Sequence, residues 1–285
     1  MVRHHRARLP LAAALVATML GLAAAPAQAE PLQAPQPVQK TKKTVTNKKE
    51  VKKPKKPKKV DCAKVKCIAL TFDDGPGKYA DKLLDTLKKH ESKATFFLEG
   101  QYVKSRKEFA KRIVAEGHQI GNHSYTHPNM LEIGEDEIRQ ELQRTEDIIY
   151  KVTGKRSTLL RPPYGLFDER YREIAVEMGL PIVLWNGGSR DWDTKKEGPI
   201  YKEVMRSAKR DGVILMHDWV KATVDVMPRL LKDLKKQGYH MVTVSELLRD
   251  GRKLQPGEVY PEQDEKEWEE LNILVAPPGS EQASH

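Results

Sequence analysis

Short, unbroken apolar runs alternate with stretches of helical periodicity along this 285-residue chain, and few folds accommodate that pattern. The runs contain no regular polar positions, so both faces of each strand are expected to be buried, as in a parallel sheet. They cover residues 68–72, 94–98, 182–185 and 213–216. Between them, apolar side chains recur at i, i+3/i+4 spacing. The β-α-β-α order continues to about residue 249 and predicts a parallel α/β sheet, open or closed into a barrel.

Five clusters of polar and ionisable side chains come at or shortly after the ends of predicted strands. In parallel α/β folds, active sites assemble at the carboxyl ends of the strands. The clusters are residues 73–76, 123–127, 161–165, 191–192 and 217–219. Their common placement at one edge of the sheet predicts an enzyme.

Two of these clusters contain residue types that suit a metal site. His123 and His127, four residues apart, could share a metal from one side of a helical turn, although two unrelated surface histidines give the same spacing. The adjacent carboxylates Asp73 and Asp74 could divide the work, one on a metal and one free as a base, or could form only a turn. Neither pair is specific by itself.

The N-terminal residues have the pattern of a targeting segment. Arg3, Arg6 and Arg8 precede an apolar stretch over residues 9–25, and small residues follow up to Ala29. This order predicts a secretory signal peptide over residues 1–29. A membrane anchor is the alternative, because about 17 apolar residues is the lower limit for a span. We therefore expect a protein that is secreted or associated with the cell wall.

The two cysteines exclude a disulfide-dense scaffold and a four-cysteine zinc module. In an oxidising compartment Cys62 and Cys67 are expected to form a disulfide, with two buried, reduced thiols as the alternative.

The formal net charge of +10 is unevenly distributed. Residues 1–60 hold 14 of the 50 lysines and arginines and two of the 40 acids, so the remaining chain is slightly acidic and no nucleic-acid partner is expected. Residues 30–60 are rich in lysine and proline and predict a disordered linker, either a tether to an anionic cell-wall polymer or a solvated spacer.

We expect one domain over residues 61–250, and we expect the protein to be a monomer. An acidic, flexible tail is predicted over residues 251–285, although its apolar residues could dock on the domain.

Together the five clusters resemble, in order, the motifs of the polysaccharide deacetylases, which are carbohydrate esterase family 4 and are built on the NodB homology domain. The matching segments are Thr71-Phe72-Asp73-Asp74-Gly75-Pro76, Asn122-His123-Ser124-Tyr125-Thr126-His127-Pro128, Arg161-Pro162-Pro163-Tyr164-Gly165, Asp191-Trp192 and Leu215-Met216-His217. The resemblance covers residues 66–248 and implies a distorted (β/α) barrel with parallel strands.

The resemblance implies a divalent metal held by three side chains, Asp74, His123 and His127. The metal is usually zinc in this family, with Co²⁺, Mn²⁺ or Ni²⁺ as alternatives. Asp73 is implied as the general base, and Arg161 as the partner that keeps it ionised and oriented.

The same resemblance implies that His217 is the general acid and that Asp191 holds its other ring nitrogen. The backbone N–H of Tyr164 is implied to stabilise the oxyanion. Leu215 and Trp192 are implied to line the pocket for the acetyl methyl group.

The substrate is less well defined by the sequence. Family members remove N-acetyl groups from peptidoglycan or chitin, or O-acetyl groups from xylan, and export with a cationic segment favours peptidoglycan. Trp219 resembles the extra tryptophan of acetylxylan esterases and either lines the substrate pocket or packs ordinarily. Gly188 stands where the family often has an aspartate, three residues before Asp191. This difference bears on the residues that support the pocket from behind. A catalytically weak wall-binding protein is the alternative of another class.

Overall fold

The structure, a computed structural model, describes residues 60–249 and 251–262. The predicted signal peptide, the linker up to residue 59 and the tail beyond residue 262 lie outside these residues.

The strands and helices follow one another along the chain, as the apolar pattern predicts. The strands are β1 (Lys66–Gly75), β2 (Thr95–Leu98), β3 (Gln119–Asn122), β4 (Ile182–Val183), β5 (Gly187–Gly188), β6 (Gly212–His217), β7 (Tyr239–Val242) and β8 (Val259–Tyr260). The helices are α1 (Ala80–Lys89), α2 (Gly100–Ser105), α3 (Lys107–Ala115), α4 (Glu135–Thr153), α5 (Glu169–Glu177), α6 (Asp191–Thr194), α7 (Glu197–Ser207), α8 (Lys221–Lys236) and α9 (Val244–Leu247). A single 3-10 turn covers Pro163–Gly165.

Strand β1 is the centre of a sheet in which every pairing among the described strands is parallel. It pairs with β6 on one side, and with β7 and then β2 on the other. The order is β3-β2-β1-β6-β5, and single-residue bridges at Leu160 continue the sheet from β3 to β4 and β8. Only residues 184–186 separate β4 from β5, so the chain itself joins the two ends of the curved sheet. The predicted distorted parallel barrel is confirmed.

Both faces of β1 are buried, which explains its unbroken apolar sequence. Ile68, Leu70 and Phe72 pack into the layer between the sheet and helices such as α1 and α8. Cys67 and Ala69 point to the opposite side and join the cluster inside the barrel. The interior becomes polar toward the carboxyl end of β1, and this change places the site described below.

The chain enters the domain through a disulfide between Cys62 and Cys67, whose Cα atoms are 5.4 Å apart. The predicted disulfide is therefore present. Cys62 lies shortly before β1, and Cys67 is the second residue of β1. Across the described ranges, no helix is both long enough and apolar enough to cross a membrane.

The described part of the predicted tail packs on the domain, which corrects the boundary placed at residue 250. Val259–Tyr260 forms β8 and pairs with β4, and Pro261 is buried. A short apolar pair suffices here because β4 offers an open edge with unpaired backbone groups. The packed domain thus extends to about residue 262.

We expect a chain that ends at residue 250 to be less stable than a chain that ends at residue 262. The backbone N–H of Ile182 donates to Glu258 O at 2.8 Å, and that of Leu184 donates to Tyr260 O at 2.7 Å. Leaving a buried donor unpaired costs about 1–3 kcal/mol. Urea unfolding followed by circular dichroism measures the difference. Equal midpoints for the two truncated chains would show that β8 contributes nothing.

Candidate metal centre and active site

Three predicted metal ligands meet at the carboxyl edge of the sheet. Asp74 lies near the end of β1, and His123 and His127 lie in the turn that follows β3. One ligand atom from each lies within 4.8 Å of the others, and within residues 60–249 and 251–262 no other such group of three occurs. Asp74 Oδ1 is 3.2 Å from His123 Nε2 and 3.3 Å from His127 Nε2.

The hydrogen bonds around this group fit a bound cation. His123 Nδ1 is 2.8 Å from the carbonyl oxygen of Arg161, which sets Nδ1 as a donor, so that the neutral form of the ring has its lone pair on Nε2. That lone pair faces Asp74 Oδ1, a buried atom that accepts no hydrogen bond of ordinary geometry from the described residues. Acceptors that converge in this way suit a metal ion, and a backbone carbonyl behind a histidine is the usual arrangement at metal sites.

The charges of the centre support each other. Burial opposes ionisation of Asp74, but in the metal-free protein the positive charge of the surrounding histidines, His127 first, holds the pKa of its carboxyl well below the usual range. Asp74 therefore stays an anion, the form that binds a cation.

Asp74 is also held from behind by a residue whose role the sequence did not indicate. Trp219 Nε1 donates to Asp74 Oδ2 at 3.1 Å, so the indole fixes the carboxylate while Oδ1 faces the histidines. The next residue back, Asp218, accepts the Gly77 backbone N–H at 2.8 Å and secures the loop after Asp74. Trp219 is half-buried, and its predicted place in the pocket lining stays a prediction. The hydrogen bond to Asp74 is a second, supporting role for the same side chain.

The predicted base is held by a fully buried cation. Arg161 Nη1 donates to Asp73 Oδ1 at 2.7 Å and to Thr71 Oγ1 at 2.8 Å. Its Nε and Nη2 donate to the carbonyl oxygens of Val183 and Leu184 at 2.9 and 2.8 Å. With all three nitrogens bonded, the guanidinium has one position, and Asp73 is held beside it.

The predicted acid has an equally fixed partner. His217 Nδ1 is 2.7 Å from Asp191 Oδ1, while Asp191 Oδ2 accepts the backbone N–H of His217 and the hydroxyl of Thr223. Burial lowers the pKa of His217, but attraction to Asp191 outweighs it and raises the pKa to about 9. The other ring nitrogen, Nε2, lies 3.7 Å from Asp74 Oδ2, so the imidazolium faces the centre.

Three further predicted residues lie on segments around the centre. Tyr164 has φ of 59° in the 3-10 turn, and its ring meets that of His127 edge-on with 4.6 Å between centroids. Leu215 on β6 and Trp192 in α6 are partly exposed, as pocket-lining side chains must be. Their roles toward a substrate stay predictions.

Gly188 is not required by packing. A Cβ built at this position on β5 would meet only the carbonyl oxygen of Leu215, at 3.9 Å. A side chain here would therefore occupy space beside Leu215, and the candidate ligands, the predicted base and the predicted acid are present without it.

Sequence reasoning missed three buried carboxylates on the segments that lead to or pack against the centre. Glu99 follows β2, and burial together with the charge of Asp74 raises its pKa to about 8. Glu141 and Glu146 are buried on α4. Nothing in the sequence distinguishes Glu141 and Glu146 from solvent-facing acids, because charged residues between apolar helical positions ordinarily face water.

These features define a class, a parallel α/β barrel with a carboxylate–imidazole metal centre flanked by a base and an acid, as found in metal-dependent hydrolases. The model of the family described as "Polysaccharide deacetylase" matches residues 61–183. The chain belongs to the polysaccharide deacetylase family.

Relatives and solved structures agree with this assignment. The peptidoglycan-N-acetylglucosamine deacetylase PgdA of Listeria monocytogenes is 40% identical over 196 residues, which are 68% of this chain and 41% of the relative. The chain thus spans about two fifths of the length of such curated relatives. The structure of the Bacillus subtilis peptidoglycan deacetylase PdaC is 39% identical with a TM-score of 0.63, covering 66% of this chain and 92% of that one.

One similar structure is described as a family pseudoenzyme. It comes from Bacillus anthracis, is 35% identical with a TM-score of 0.62, and covers 69% of this chain and 70% of that one. The fold is therefore compatible with loss of activity, and the side chains of the centre carry the argument for catalysis.

The raised pKa of His217 predicts a pH-dependent stability of the metal-free protein. The pKa of His217 in the folded protein, about 9, exceeds its ordinary value of 6.5. The ion pair with Asp191 therefore stabilises the folded state fully below about pH 6.5, and this stabilisation is lost as the pH rises through 9. We expect His217 to contribute up to about 3 kcal/mol to the fall in unfolding free energy between pH 6 and 9.5. Asp191→Asn should flatten that fall.

Urea unfolding in the presence of a chelator measures this slope at each pH. Asp193→Asn, which removes an exposed carboxylate from the same helix α6, is the matched control and should leave the slope unchanged. If Asp191→Asn unfolds with the slope of the parent, the ion pair does not set the pKa of His217.

Proposed function

We propose that this protein is a metal-dependent deacetylase that hydrolyses N-acetyl groups of amino sugars in peptidoglycan. One observation carries the proposal: a held acceptor and a held donor, Asp73 and His217, lie against the same centre. Asp73 Oδ2 is 3.7 Å from His123 Nε2, and His217 Nε2 is 3.7 Å from Asp74 Oδ2. The printed names of the matched relatives, which are peptidoglycan deacetylases, support the substrate class.

Asp74, His123 and His127 would hold the metal, and we propose Zn²⁺. When bound, the cation supplies Lewis-acid chemistry that polarises the acetyl carbonyl and lowers the pKa of a water. Carboxylate and imidazole ligands also accept Co²⁺, Mn²⁺ and Ni²⁺.

The remaining chemistry is proton transfer by the chain. Asp73, held by Arg161, accepts a proton from the water whose oxygen attacks the acetyl carbon. The bond between the acetyl carbon and the nitrogen then breaks. His217, kept protonated by Asp191, donates its proton to the leaving nitrogen. The products are acetate and a free amine on the sugar. Cleavage of an amide requires this donor, because a nitrogen that has not been protonated would have to leave as a strongly basic anion.

The surrounding residues would bind the acetyl group. The Tyr164 backbone N–H would donate to the developing oxyanion, a contribution whose loss typically costs ~2.7–4 kcal/mol. Leu215 and Trp192 would contact the acetyl methyl group. Trp219, which holds Asp74, has a partly exposed ring that would also meet the sugar.

Export is part of the proposal because the polymer lies outside the cell membrane. The signal peptide predicted over residues 1–29 would direct the chain there. The cationic residues 30–60 would hold the enzyme near an anionic wall through electrostatic attraction.

Asp73→Asn should lower acetate release from N-acetylglucosamine oligomers and peptidoglycan by roughly 10²–10⁴-fold, because an amide cannot accept the proton. Metal binding should persist, since Asp73 is not among the three ligands. Acetate is measured enzymatically with the Zn²⁺-loaded protein, and Asp136→Asn, an exposed change on α4, is the control.

Acetylxylan is offered in parallel to identify the acetyl group that is removed. Preference for acetylxylan would replace the proposed amidase with an esterase. No release from any polymer by a protein with bound metal would favour the wall-binding alternative.

A further inference from the structure

The turn that carries both histidine ligands has a demanding backbone. Ser124 and His127 have φ values of 63° and 63°, in the left-handed region that residues other than glycine rarely adopt. Such conformations cost of order 1–3 kcal/mol each and persist only when the surroundings fix them. The positions of His123 and His127 therefore depend on whatever fixes residues 123–127.

Three of the five N–H groups in this turn are bonded by the adjoining strands or by the turn's own side chains. The His123 N–H donates to Leu98 O at 3.0 Å, across to β2. The Ser124 N–H donates to the Asn122 side chain at 3.0 Å, and the His127 N–H donates to the Ser124 hydroxyl at 3.1 Å. These contacts tie the turn to the end of the sheet.

The other two N–H groups converge on one atom. Tyr125 and Thr126 donate to Glu141 Oε2 at 2.8 and 2.7 Å. A carboxylate oxygen that accepts two successive amides makes charge-assisted bonds, which are shorter and stronger than neutral ones. Glu141 thus fixes the middle of the turn, between the two ligands.

Glu141 brings the rigidity of a long helix to this contact. It lies within α4, which has 19 residues, and its side chain is buried. Its neighbours Ile138 and Leu142 are packed in the core, so the helix does not move independently of the domain. The turn is thereby held between the sheet on one side and α4 on the other.

We propose that Glu141 is a positioning residue of the metal centre, whose carboxylate holds the turn so that both imidazoles face Asp74. It acts through His123 and His127 and is not itself a ligand. The inference rests on the metal-binding part of the proposed function.

The exposure of the turn separates this role from a general structural one. Thr126 is exposed and Tyr125 half-buried, so water can reach the two N–H groups if the carboxylate is removed. Loss of Glu141 should therefore loosen the turn more than it destabilises the domain. The expected signature is weak metal binding by a protein that still folds.

The test measures Zn²⁺ affinity of the full chain by competition with a chromophoric chelator, and the absorption spectrum of the Co²⁺ form. Glu141→Ala should bind Zn²⁺ about 10–100-fold more weakly, as changes behind metal ligands typically do, with an altered Co²⁺ spectrum. Glu141→Gln should restore part of the affinity, because its amide oxygen can still accept both N–H groups but carries no charge.

Ile149→Val is the matched control, because Ile149 is a buried core residue of the same helix and does not bond to the turn. It should lower the stability of the domain and leave Zn²⁺ affinity and the Co²⁺ spectrum unchanged. If Glu141→Ala does not fold, Glu141→Gln decides, with an expected affinity clearly below that of the parent.

The outcomes distinguish the two proposals. A parent chain that binds no Zn²⁺ would overturn the proposed function and this inference with it. A parent that binds Zn²⁺ while the Glu141 variants bind it equally well would overturn this inference alone. Equal weakening in Ile149→Val would also overturn it, because metal binding would then follow general stability.

Discussion

The rest of the site depends on the hydrogen bonds made by the buried guanidinium of Arg161. A cation enclosed in a barrel is costly unless its donors are fully bonded, and here they reach Asp73, Thr71 and two backbone carbonyls. The side chain thereby fixes the base, while its own carbonyl oxygen accepts from His123 Nδ1 and fixes a metal ligand. One residue sets both the position of the base and the tautomer of the ligand, so base and metal centre cannot be arranged independently.

The two ion pairs at the centre place a held acceptor and a held donor side by side. Arg161 donates to the Asp73 carboxyl and fixes its position, and attraction to Asp191 raises the pKa of His217 to about 9. Each partner is buried, so neither attraction is weakened by water. Asp74 lies between them with its own anion held by Trp219 and the histidines. The predicted acid, the predicted base and the candidate cation site therefore each have a fixed partner, an arrangement that would limit reorganisation in the proposed reaction.

The sequence predicts the parts of this structure in which the signal is local. Strands such as β1 and β6 are recognised because burial of both faces leaves apolar runs. The motif residues are recognised because their clusters come at or shortly after predicted strand ends and together resemble the motifs of a known family. Strand β8 escapes prediction because two residues in an acidic segment have no periodicity, and only the open edge of β4 gives them a partner. Glu141 escapes because an acid between apolar helical positions has the pattern of a solvated face. The bond from Trp219 to Asp74 spans 145 positions, and no local pattern reports it.

The metal centre around Asp74 and the space beside Leu215 bear on different aspects of function. The candidate ligands, the predicted base and the predicted acid are all present, so the departure at Gly188 removes none of them. What it changes is shape, because a side chain on β5 would project where only the Leu215 carbonyl oxygen lies nearby. Leu215 is also the residue expected to contact the acetyl methyl group. A side chain at position 188 would therefore occupy space beside Leu215 without displacing a candidate ligand, the predicted base or the predicted acid. Under the proposed function, the charges around Asp74 would determine the reaction type, and the space around Leu215 would bear on which acetylated sugar fits.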